Sequence, residues 1–183
     1  MLFLLAAGVG VLLGYAFGGR VSRLASLRLR GLWLVLAGLI LQLLIFPVVD
    51  ARPLLPYATA PLHVLSYALV FAFLVLNLRL GPLVAVGAGA VLNLAAIAVN
   101  GGRMPASATA LERAGLGEIA EQLASAGTYG NVLLMSEASR LNALGDWLYF
   151  PASVPFATAF SIGDLLVMVG IAWLIARGMR GDG

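Results

Sequence analysis

Five long apolar runs constrain the fold of this chain more than any other feature of its sequence. None of them contains arginine or lysine, and they cover residues 2–18, 32–49, 60–78, 83–99 and 156–176. A helix of about 17 to 25 residues crosses the roughly 30 Å hydrocarbon core of a bilayer. Backbone groups in lipid must also be hydrogen-bonded within their own segment, which a helix achieves. We therefore expect an all-α membrane protein, a five-helix transmembrane bundle forming a single domain over residues 1–183.

The composition supports this class and excludes several kinds of site. Hydrophobic residues make up 62% of the chain and charged residues 10%, whereas soluble domains are about 45–50% apolar and about 25% charged. The chain has no cysteine and one histidine, so thiolate, iron–sulfur and two-histidine metal sites lack their residues. We expect no metal and no cofactor. Basic residues are not interleaved with aromatic ones, so we expect no nucleic-acid partner.

The arginines predict how the helices are oriented in the bilayer. Four of them lie within residues 20–30, the first loop, and cytoplasmic loops of membrane proteins carry an excess of basic residues. If that loop is cytoplasmic, Arg79, Arg177 and Arg180 are also cytoplasmic, which places seven of the eleven arginines inside. The N-terminus is then outside the membrane and the C-terminus is cytoplasmic.

The long connection over residues 100–155 is too apolar for a solvated linker and too polar to span a membrane. We expect it to form two short interfacial helices on the extracytoplasmic face. The first runs from about 110 to 125, because Thr109 and Glu112 have the spacing of a capping box and Gly127 suits a helix end. The second runs from about 131 to 149.

The second predicted interfacial helix carries a polar face. Ser139, Asn142 and Asp146 recur at intervals of three and four residues, which places them on one side of a helix.

Small and polar residues inside the apolar runs indicate how the helices contact each other. Gly10, Gly14 and Gly18 are four residues apart, a spacing that lets another helix approach closely. They predict either packing within the chain or a seam for a second copy or a partner subunit. Gln42 and Asn93 lie near the middle of their runs, where amides usually bond across helices; a ligand path is the alternative.

Two motifs have both a structural and a functional interpretation. Residues 100–105 read Asn-Gly-Gly-Arg-Met-Pro, which is typical of a helix end, and the cation of Arg103 suits a carboxylate or phosphate partner. Residues 161–164 read Ser-Ile-Gly-Asp, the spacing of a capping box. A helix beginning there spans only about 22 Å by residue 176, which would place Asp164 below the outer surface. An ionisable residue at that depth is a candidate functional residue.

These observations lead to one functional hypothesis and two rivals. We expect a small polar pocket at the outer face that binds or passes a small polar or lipid-headgroup ligand. Its walls are predicted to be Asn100, Arg103, Asn142, Asp146, Ser161 and Asp164. The first rival is an intramembrane hydrolase in which Asp146 and Asp164 are catalytic and share a proton. The second is a non-catalytic accessory subunit that assembles through the glycines of the first run.

Three motifs together resemble the signature of a family of uncharacterised bacterial polytopic membrane proteins, defined as a domain of unknown function. They are Asn-Gly-Gly-x-Met-Pro at 100–105, Leu-Gly-Asp at 144–146 and Ser-Ile-Gly-Asp-Leu-Leu at 161–166. The similarity covers nearly the whole chain, including the basic first loop and Gln42. It implies a multi-pass protein of the cytoplasmic (inner) membrane of a bacterium, with no assigned activity and no assigned catalytic residues.

A second, fainter resemblance is to the lipoprotein signal peptidases, which use two intramembrane aspartates near the outer face. Asn142-x-x-x-Asp146 and Phe-Ser-Ile-Gly-Asp at 160–164 are similar to the two aspartate motifs of that family. The first spacing is one residue longer here, and serine and glycine replace asparagine and alanine in the second motif. The number and order of spans also differ, so this resemblance implies an aspartate pair and leaves protease activity as an alternative.

Overall fold

The computed structural model describes residues 2–45 and 59–181 of the chain. Its α-helices are α1 (Leu2–Ala16), α2 (Leu32–Ile45), α3 (Thr59–Leu76), α4 (Gly81–Val99), α5 (Ala108–Arg113), α6 (Gly117–Ala126) and α7 (Ile162–Arg180). Short 3₁₀ helices cover Val21–Ser26 and Asn142–Leu144. Helix α7 packs along both α1 and α4, and α2 packs along α3. The described part of the chain is therefore mostly helical, with α7 between two other long helices.

Two of the described helices, α4 and α7, are long and apolar enough to cross a membrane, which indicates membrane association. The apolar helices α1 and α2 are shorter, as is the apolar stretch Val64–Leu76 of α3. Residues 46–49 of the second predicted run lie outside the described residues. The fifth predicted run begins at residue 156, whereas α7 begins at Ile162 because a strand precedes it.

The expectation of an all-α fold is wrong, because five short strands lie between α4 and α7. They are β1 (Met104–Ala106), β2 (Thr128–Tyr129), β3 (Val132–Leu134), β4 (Leu148–Phe150) and β5 (Thr158–Phe160). Strand β3 pairs in parallel with β1 and antiparallel with β2, while β4 and β5 form a separate antiparallel pair. This small strand-containing unit contacts the C-terminal end of α4 through β1.

The predicted interfacial helix over residues 131–149 is also wrong. Gly130 and Asn131 form the two-residue turn between β2 and β3, where Gly130 has a φ of +57°. Two-residue hairpin turns favour glycine because they require positive φ angles. The only helical turn among residues 131–149 is the 3₁₀ helix Asn142–Leu144. The hairpin signal at Gly130 therefore outweighs the helical spacing of the polar residues that follow it.

The first predicted interfacial helix is divided in two. Helices α5 and α6 are separated by Gly115, whose φ of +76° ends α5. The N-cap of α5 is Ser107, whose side chain accepts a hydrogen bond from the amide of Ala110, so the capping box predicted at Thr109 is wrong. Gly127, with a φ of +74°, ends α6 as predicted.

The glycines of α1 pack against α7 of the same chain. A Cβ atom on Gly10 would lie 2.7 Å from the carbonyl oxygen of Ala172, and one on Gly14 would strike the side chain of Met179. Gly18 follows α1, is exposed and has a φ of +75°. The predicted packing within the chain is thus confirmed for Gly10 and Gly14. A seam for a second copy or a partner subunit stays a prediction.

Replacing Gly14 with leucine is expected to destabilise the protein, because the new side chain would occupy the space of Met179. Overpacking of this kind costs about 1–3 kcal/mol. Thermal unfolding of the purified protein in detergent measures the effect. Gly8→Leu is the matched control on the same helix, because a Cβ atom on Gly8 would have no neighbouring atom within 4 Å. Equal melting temperatures for the two variants would contradict the α1–α7 packing.

A second glycine seam, which was not predicted, joins α4 to α7. A Cβ atom on Gly89 would strike the carbonyl oxygen of Gly163, and one on Gly170 would lie 2.7 Å from the carbonyl oxygen of Pro82. Gly163 and Gly170 are seven residues apart and so share one face of α7, which is the signal that would have indicated the seam. This close approach brings the N-terminus of α7 against α4.

Polar side chains also join neighbouring helices. The Nε2 of Gln42 in α2 donates to the Oγ of Ser66 in α3 over 3.3 Å, which confirms the predicted bond across helices. Asn77, which is fully buried after α3, donates from Nδ2 to the carbonyl of Arg30 and accepts from the amide of Arg30. These bonds fix the loop before α2 against the end of α3.

Candidate functional site

The N-terminus of α7 begins with the predicted capping box. The amide of Asp164 donates to the Oγ of Ser161 over 2.9 Å, and the amide of Ser161 donates to Oδ2 of Asp164 over 3.2 Å. Free amide groups at a helix N-terminus make such caps stabilising, and the helix dipole favours a carboxylate in the first turn. Asp164 therefore has a structural role at the start of α7.

Asn93 of α4 joins this cap to the neighbouring helix. Its Nδ2 donates to Oδ1 of Asp164 over 2.7 Å, and its Oδ1 accepts a hydrogen bond from the hydroxyl of Ser161 over 2.7 Å. The predicted bonding of Asn93 across helices is thus confirmed. The contact requires glycine at residue 163, because a Cβ there would strike the amide of Asn93. The three polar side chains form a closed set of hydrogen bonds that orients both oxygens of Asp164.

Asp146 reaches the same end of α7 from the strand-containing unit. Its amide donates to the carbonyl of Pro105 over 2.8 Å, and its carbonyl accepts from the amide of Ser107 over 2.9 Å, which adds a bridge to the edge of β1. The preceding Gly145 is necessary, because a Cβ there would strike the carbonyl oxygen of Pro105. The Leu-Gly-Asp motif therefore fixes the backbone of Asp146 beside β1.

A cavity of about 210 Å³ lies between the two aspartates. Carboxylates, amides and one phenol provide its polar wall, and three apolar residues complete it: Tyr67, Asn93, Ile97, Met104, Asn131, Val132, Asp146 and Asp164. No arginine is among these lining residues. The cavity, which we call the aspartate pocket, thus presents hydrogen-bond acceptors and negative charge without a basic partner.

Asp146 is the least satisfied polar group of the aspartate pocket. Its Oδ1 is buried and accepts no hydrogen bond from any described residue. Burial, and secondly the charge of Asp164, raise the pKa of Asp146 from 3.8 to about 8. At neutral pH the Asp146 carboxyl group therefore carries a proton, which it can donate to a ligand or to a neighbouring oxygen.

Asn100 serves as part of the helix end and does not line the aspartate pocket. Its Nδ2 donates to the carbonyls of Ala96 and Arg140, and its Oδ1 accepts from the amide of Arg140. The amide of Gly102 donates to the carbonyl of Ile97 over 2.9 Å, the bond typical of a Schellman helix end. The contacts therefore show that the motif at residues 100–105 forms the end of α4.

Arg103 and Asn142 are also absent from the lining of the aspartate pocket. Arg103 is exposed, and no carboxylate of a described residue lies within 4.0 Å of it. Asn142 accepts a hydrogen bond from the hydroxyl of Ser139 over 2.7 Å and donates to the carbonyl of Ser136 over 3.1 Å. Of the predicted residues, the structure thus brings together Asp146, Ser161 and Asp164.

Tyr67 and Asn131 line the aspartate pocket and were not among the predicted site residues. Tyr67 lies in α3, and Asn131 is the second residue of the β2–β3 turn. The Gly-Asn pair at 130–131 is a hairpin signal, but no local pattern shows that this hairpin reaches the end of α4. Among the described residues, no three histidine or acidic side chains lie together as metal ligands.

A family model for a family of unknown function, DUF5317, matches residues 26–176. No curated protein and no solved structure matches the chain. The matched residues include α2 to α6, every strand and most of α7, so they contain the whole aspartate pocket.

Proposed function

This chain belongs to DUF5317, a family of unknown function, and from its own residues we propose that it is a multi-pass membrane protein that binds a small ligand in the aspartate pocket. The ligand is one that donates hydrogen bonds or carries positive charge, such as a primary amine, either free or as the headgroup of a lipid. We place the pocket at the outer face of a bacterial cytoplasmic membrane.

The buried and unpartnered Oδ1 of Asp146 carries this proposal. Leaving a buried polar atom without a hydrogen bond costs about 1–3 kcal/mol, and a ligand that donates a hydrogen bond would recover that cost. The pocket volume of about 210 Å³ corresponds to roughly seven water molecules at about 30 Å³ each. A small amine fits that volume, whereas a phosphate would meet the negative charge of Asp164 and no lining arginine.

The surface of the helices supports a location within the bilayer. Large apolar side chains are exposed along α1, α2 and α3, as shown by Leu12 at 70%, Trp33 at 66% and Val64 at 69%. Soluble monomers rarely expose contiguous apolar patches larger than a few hundred Å². We propose that lipid covers these faces and that α1 to α4 and α7 form the five-span bundle expected from the sequence.

The arginine distribution predicts the orientation of this bundle, and reporter fusions test it. An alkaline phosphatase fused after Arg180 is expected to be inactive, because the C-terminus is placed in the cytoplasm. The same enzyme inserted beside Glu137, in the connection before α7, is expected to be active. Phosphatase activity only in the C-terminal fusion would contradict the orientation and would place the aspartate pocket on the cytoplasmic side.

Ligand binding is tested by thermal unfolding in detergent with ethanolamine as the probe. We expect ethanolamine to stabilise the wild-type protein with the logarithm of its concentration, by about 2.7 kcal/mol at 100 times Kd. Binding of the ammonium group is expected to release the proton of Asp146, so Asp146→Asn is expected to weaken binding about tenfold to a hundredfold, the value of a hydrogen bond to a charged group. Glu137→Gln, an exposed change of the same type, is expected to bind normally. Acetate should have no effect.

Two outcomes of this experiment would contradict the proposal. Ethanolamine could fail to stabilise the wild-type protein at any pH between 6 and 9, or Asp146→Asn could respond as the wild type does. Phosphatidylethanolamine in mixed micelles distinguishes the two amine sources, because a headgroup ligand is expected to stabilise the protein at a lower concentration than free ethanolamine.

A second candidate function is hydrolysis by the two aspartates, which the proton on Asp146 and the charge on Asp164 favour. Asp164 would accept a proton from water while the water oxygen attacks a carbonyl carbon, and Asp146 would donate its proton to the carbonyl oxygen. The tetrahedral species would then expel an alcohol or amine, which takes up the proton from Asp164, while a hydroxyl group of the tetrahedral carbon returns its proton to Asp146 as the carbonyl re-forms. One carboxylic acid and one carboxylate are the states this reaction requires.

Incubation with a membrane extract of lipids and lipoproteins tests the second candidate. Mass spectrometry would detect products released by the wild-type protein, with a bell-shaped pH dependence. Asp146→Asn and Asp164→Asn are each expected to abolish these products, and Glu137→Gln is expected to leave them unchanged. Equal product formation by the wild type and both aspartate variants would contradict hydrolysis and leave ligand binding as the function.

A further inference from the structure

Asn131 lines the aspartate pocket and is exposed to solvent, so it lies where the pocket opens. No described residue forms a hydrogen bond with its side-chain amide. Asn93, the other amide of the pocket, uses both of its polar side-chain atoms, one on Ser161 and one on Asp164. A primary amide carries two N–H donors and one carbonyl acceptor. Asn131 therefore offers the pocket a second set of hydrogen-bonding atoms besides the aspartates.

The backbone of Asn131 is fixed, although its side chain is not hydrogen-bonded within the described part of the chain. Its carbonyl accepts a hydrogen bond from the amide of Met104 over 2.8 Å. Val132, the next residue, pairs with Tyr129 across the turn and with Met104 in β1. A side chain on an element held by its neighbours positions a ligand group more precisely than one on a free loop.

Asp146 and Asn131 approach β1 from opposite edges. The amide of Met104 donates to the carbonyl of Asn131, whereas the carbonyl of the next residue, Pro105, accepts from the amide of Asp146 over 2.8 Å. Successive residues of a strand direct their backbone hydrogen-bonding groups to alternate edges. Met104, which is buried and lines the pocket, therefore lies between the two polar residues. A ligand that contacts both of them carries two polar groups joined by a short apolar link.

We propose that Asn131 determines specificity within the aspartate pocket by hydrogen bonding to an oxygen two carbons from the amine of the ligand. This inference rests on the proposed amine binding, and it narrows the ligand to an oxygenated amine, either a free amino alcohol or an ethanolamine headgroup. The aspartates bind the ammonium group, the two carbons lie against Met104, and the amide of Asn131 bonds to the oxygen.

Matched pairs of amines test this role by thermal unfolding of the full chain in detergent. Ethanolamine has a hydroxyl group where propylamine has a methyl group, and 2-methoxyethylamine has an oxygen where butylamine has a methylene group. The wild-type protein is expected to bind the oxygenated amine of each pair about fivefold more tightly, the value of one hydrogen bond. Asn131→Ala is expected to bind both amines of a pair equally, with the affinity that the wild type has for the alkyl amine.

Asn131→Ala is expected to fold normally. Among the described residues, only Leu141 and Phe156 combine a side chain with a positive φ, so alanine suits the backbone at position 131. The variant without ligand is therefore expected to melt at the wild-type temperature. Gln122→Ala is the matched control, because it removes an exposed amide of α6 that does not line the pocket. This control is expected to keep the wild-type preference for oxygenated amines.

The four amines also distinguish the sources of the ligand. A preference in both pairs indicates that Asn131 donates to an oxygen, which a lipid headgroup also provides. A preference for ethanolamine alone indicates that Asn131 accepts from a hydroxyl group, which assigns a free amino alcohol.

Two results would overturn the role of Asn131 and leave amine binding intact. The wild type could bind both amines of each pair equally, or the preference could persist unchanged in Asn131→Ala. Failure of all four amines to stabilise the wild type would instead contradict amine binding in the aspartate pocket, and this inference with it.

Discussion

Asp146→Asn is expected to make the protein more stable than the wild type at pH 9 and to flatten its dependence of stability on pH. The pKa of Asp146 is about 8 in the folded protein and 3.8 as its ordinary value. Between these values the folded state holds a proton that the unfolded state has lost, so wild-type stability falls as pH rises from about 4 to about 8. Each unit of pKa difference corresponds to about 1.36 kcal/mol, so the effect amounts to several kcal/mol.

Thermal unfolding at pH 5, 7 and 9 measures this effect. The wild type and Asp146→Asn are expected to differ least at pH 5, where the Asp146 carboxyl is protonated in the folded protein. Glu137→Gln, an exposed control, is expected to follow the wild-type curve throughout. If the stability of the wild type rose with pH relative to Asp146→Asn, the buried and protonated state of Asp146 would be contradicted.

Gly163→Ala is expected to disrupt the packing of α7 on α4 more severely than replacement of any other glycine of the site with alanine. Its Cβ would strike the amide of Asn93 and would lie 2.7 Å from the carbonyl oxygen of Gly89. The backbone of α4 cannot move away without breaking the bond that Ser161 donates to Asn93 and the bond that Asn93 donates to Asp164. We expect a loss of about 3 kcal/mol or more, at the upper end of overpacking effects, with low yields of folded protein.

Gly87→Ala is the matched control for this variant. It lies two residues before Gly89 on α4, and a Cβ there would make an ordinary contact at 3.9 Å with the side chain of Leu74. Because alanine favours a helix over glycine by about 0.5–1 kcal/mol, this control is expected to melt at the wild-type temperature or slightly above it. Equal melting temperatures for Gly163→Ala and Gly87→Ala would show that the α4–α7 approach is not as close as described.

The helices and their ends could be predicted from the sequence where they depend on residues that are close together in the chain. The apolar runs gave the positions of the long helices because residues within each run decide its structure. The capping box at Ser161 and the helix end at Gly102 depend on residues three to five positions apart, so they too were visible in the sequence. The spacing of Gly10 and Gly14 showed a packing face, although not which helix would occupy it.

The strand-containing unit could not be predicted from helical periodicity. Ser139, Asn142 and Asp146 have the spacing of one helix face, yet the turn at Gly130 directs the preceding residues into β3. The parallel pairing of β3 with β1 joins residues 28 positions apart, from Met104 to Val132. Such pairing depends on contacts across the fold, and local propensity contains no information about it.

The two aspartates of the candidate site could be predicted from the sequence, whereas the other residues that line it could not. Asp146 and Asp164 were notable because ionisable residues are rare in so apolar a chain. Asn100 was expected at the pocket because it neighbours α4, but its side chain is fully occupied by the backbone around Arg140. Tyr67 lines the site because of the way α3 packs, and no sequence motif indicates that packing.

Infrared difference spectroscopy of the carboxyl groups tests the central claim most directly, that Asp146 is a proton-bearing group to which an amine binds in the aspartate pocket. The wild-type protein is expected to show a carboxylic acid band that titrates near pH 8, is missing in Asp146→Asn, and shifts or disappears when ethanolamine is added at pH 7. Acetate is expected to leave the band unchanged. A spectrum with no such band at pH 7, or a band that ethanolamine does not change, would contradict the account.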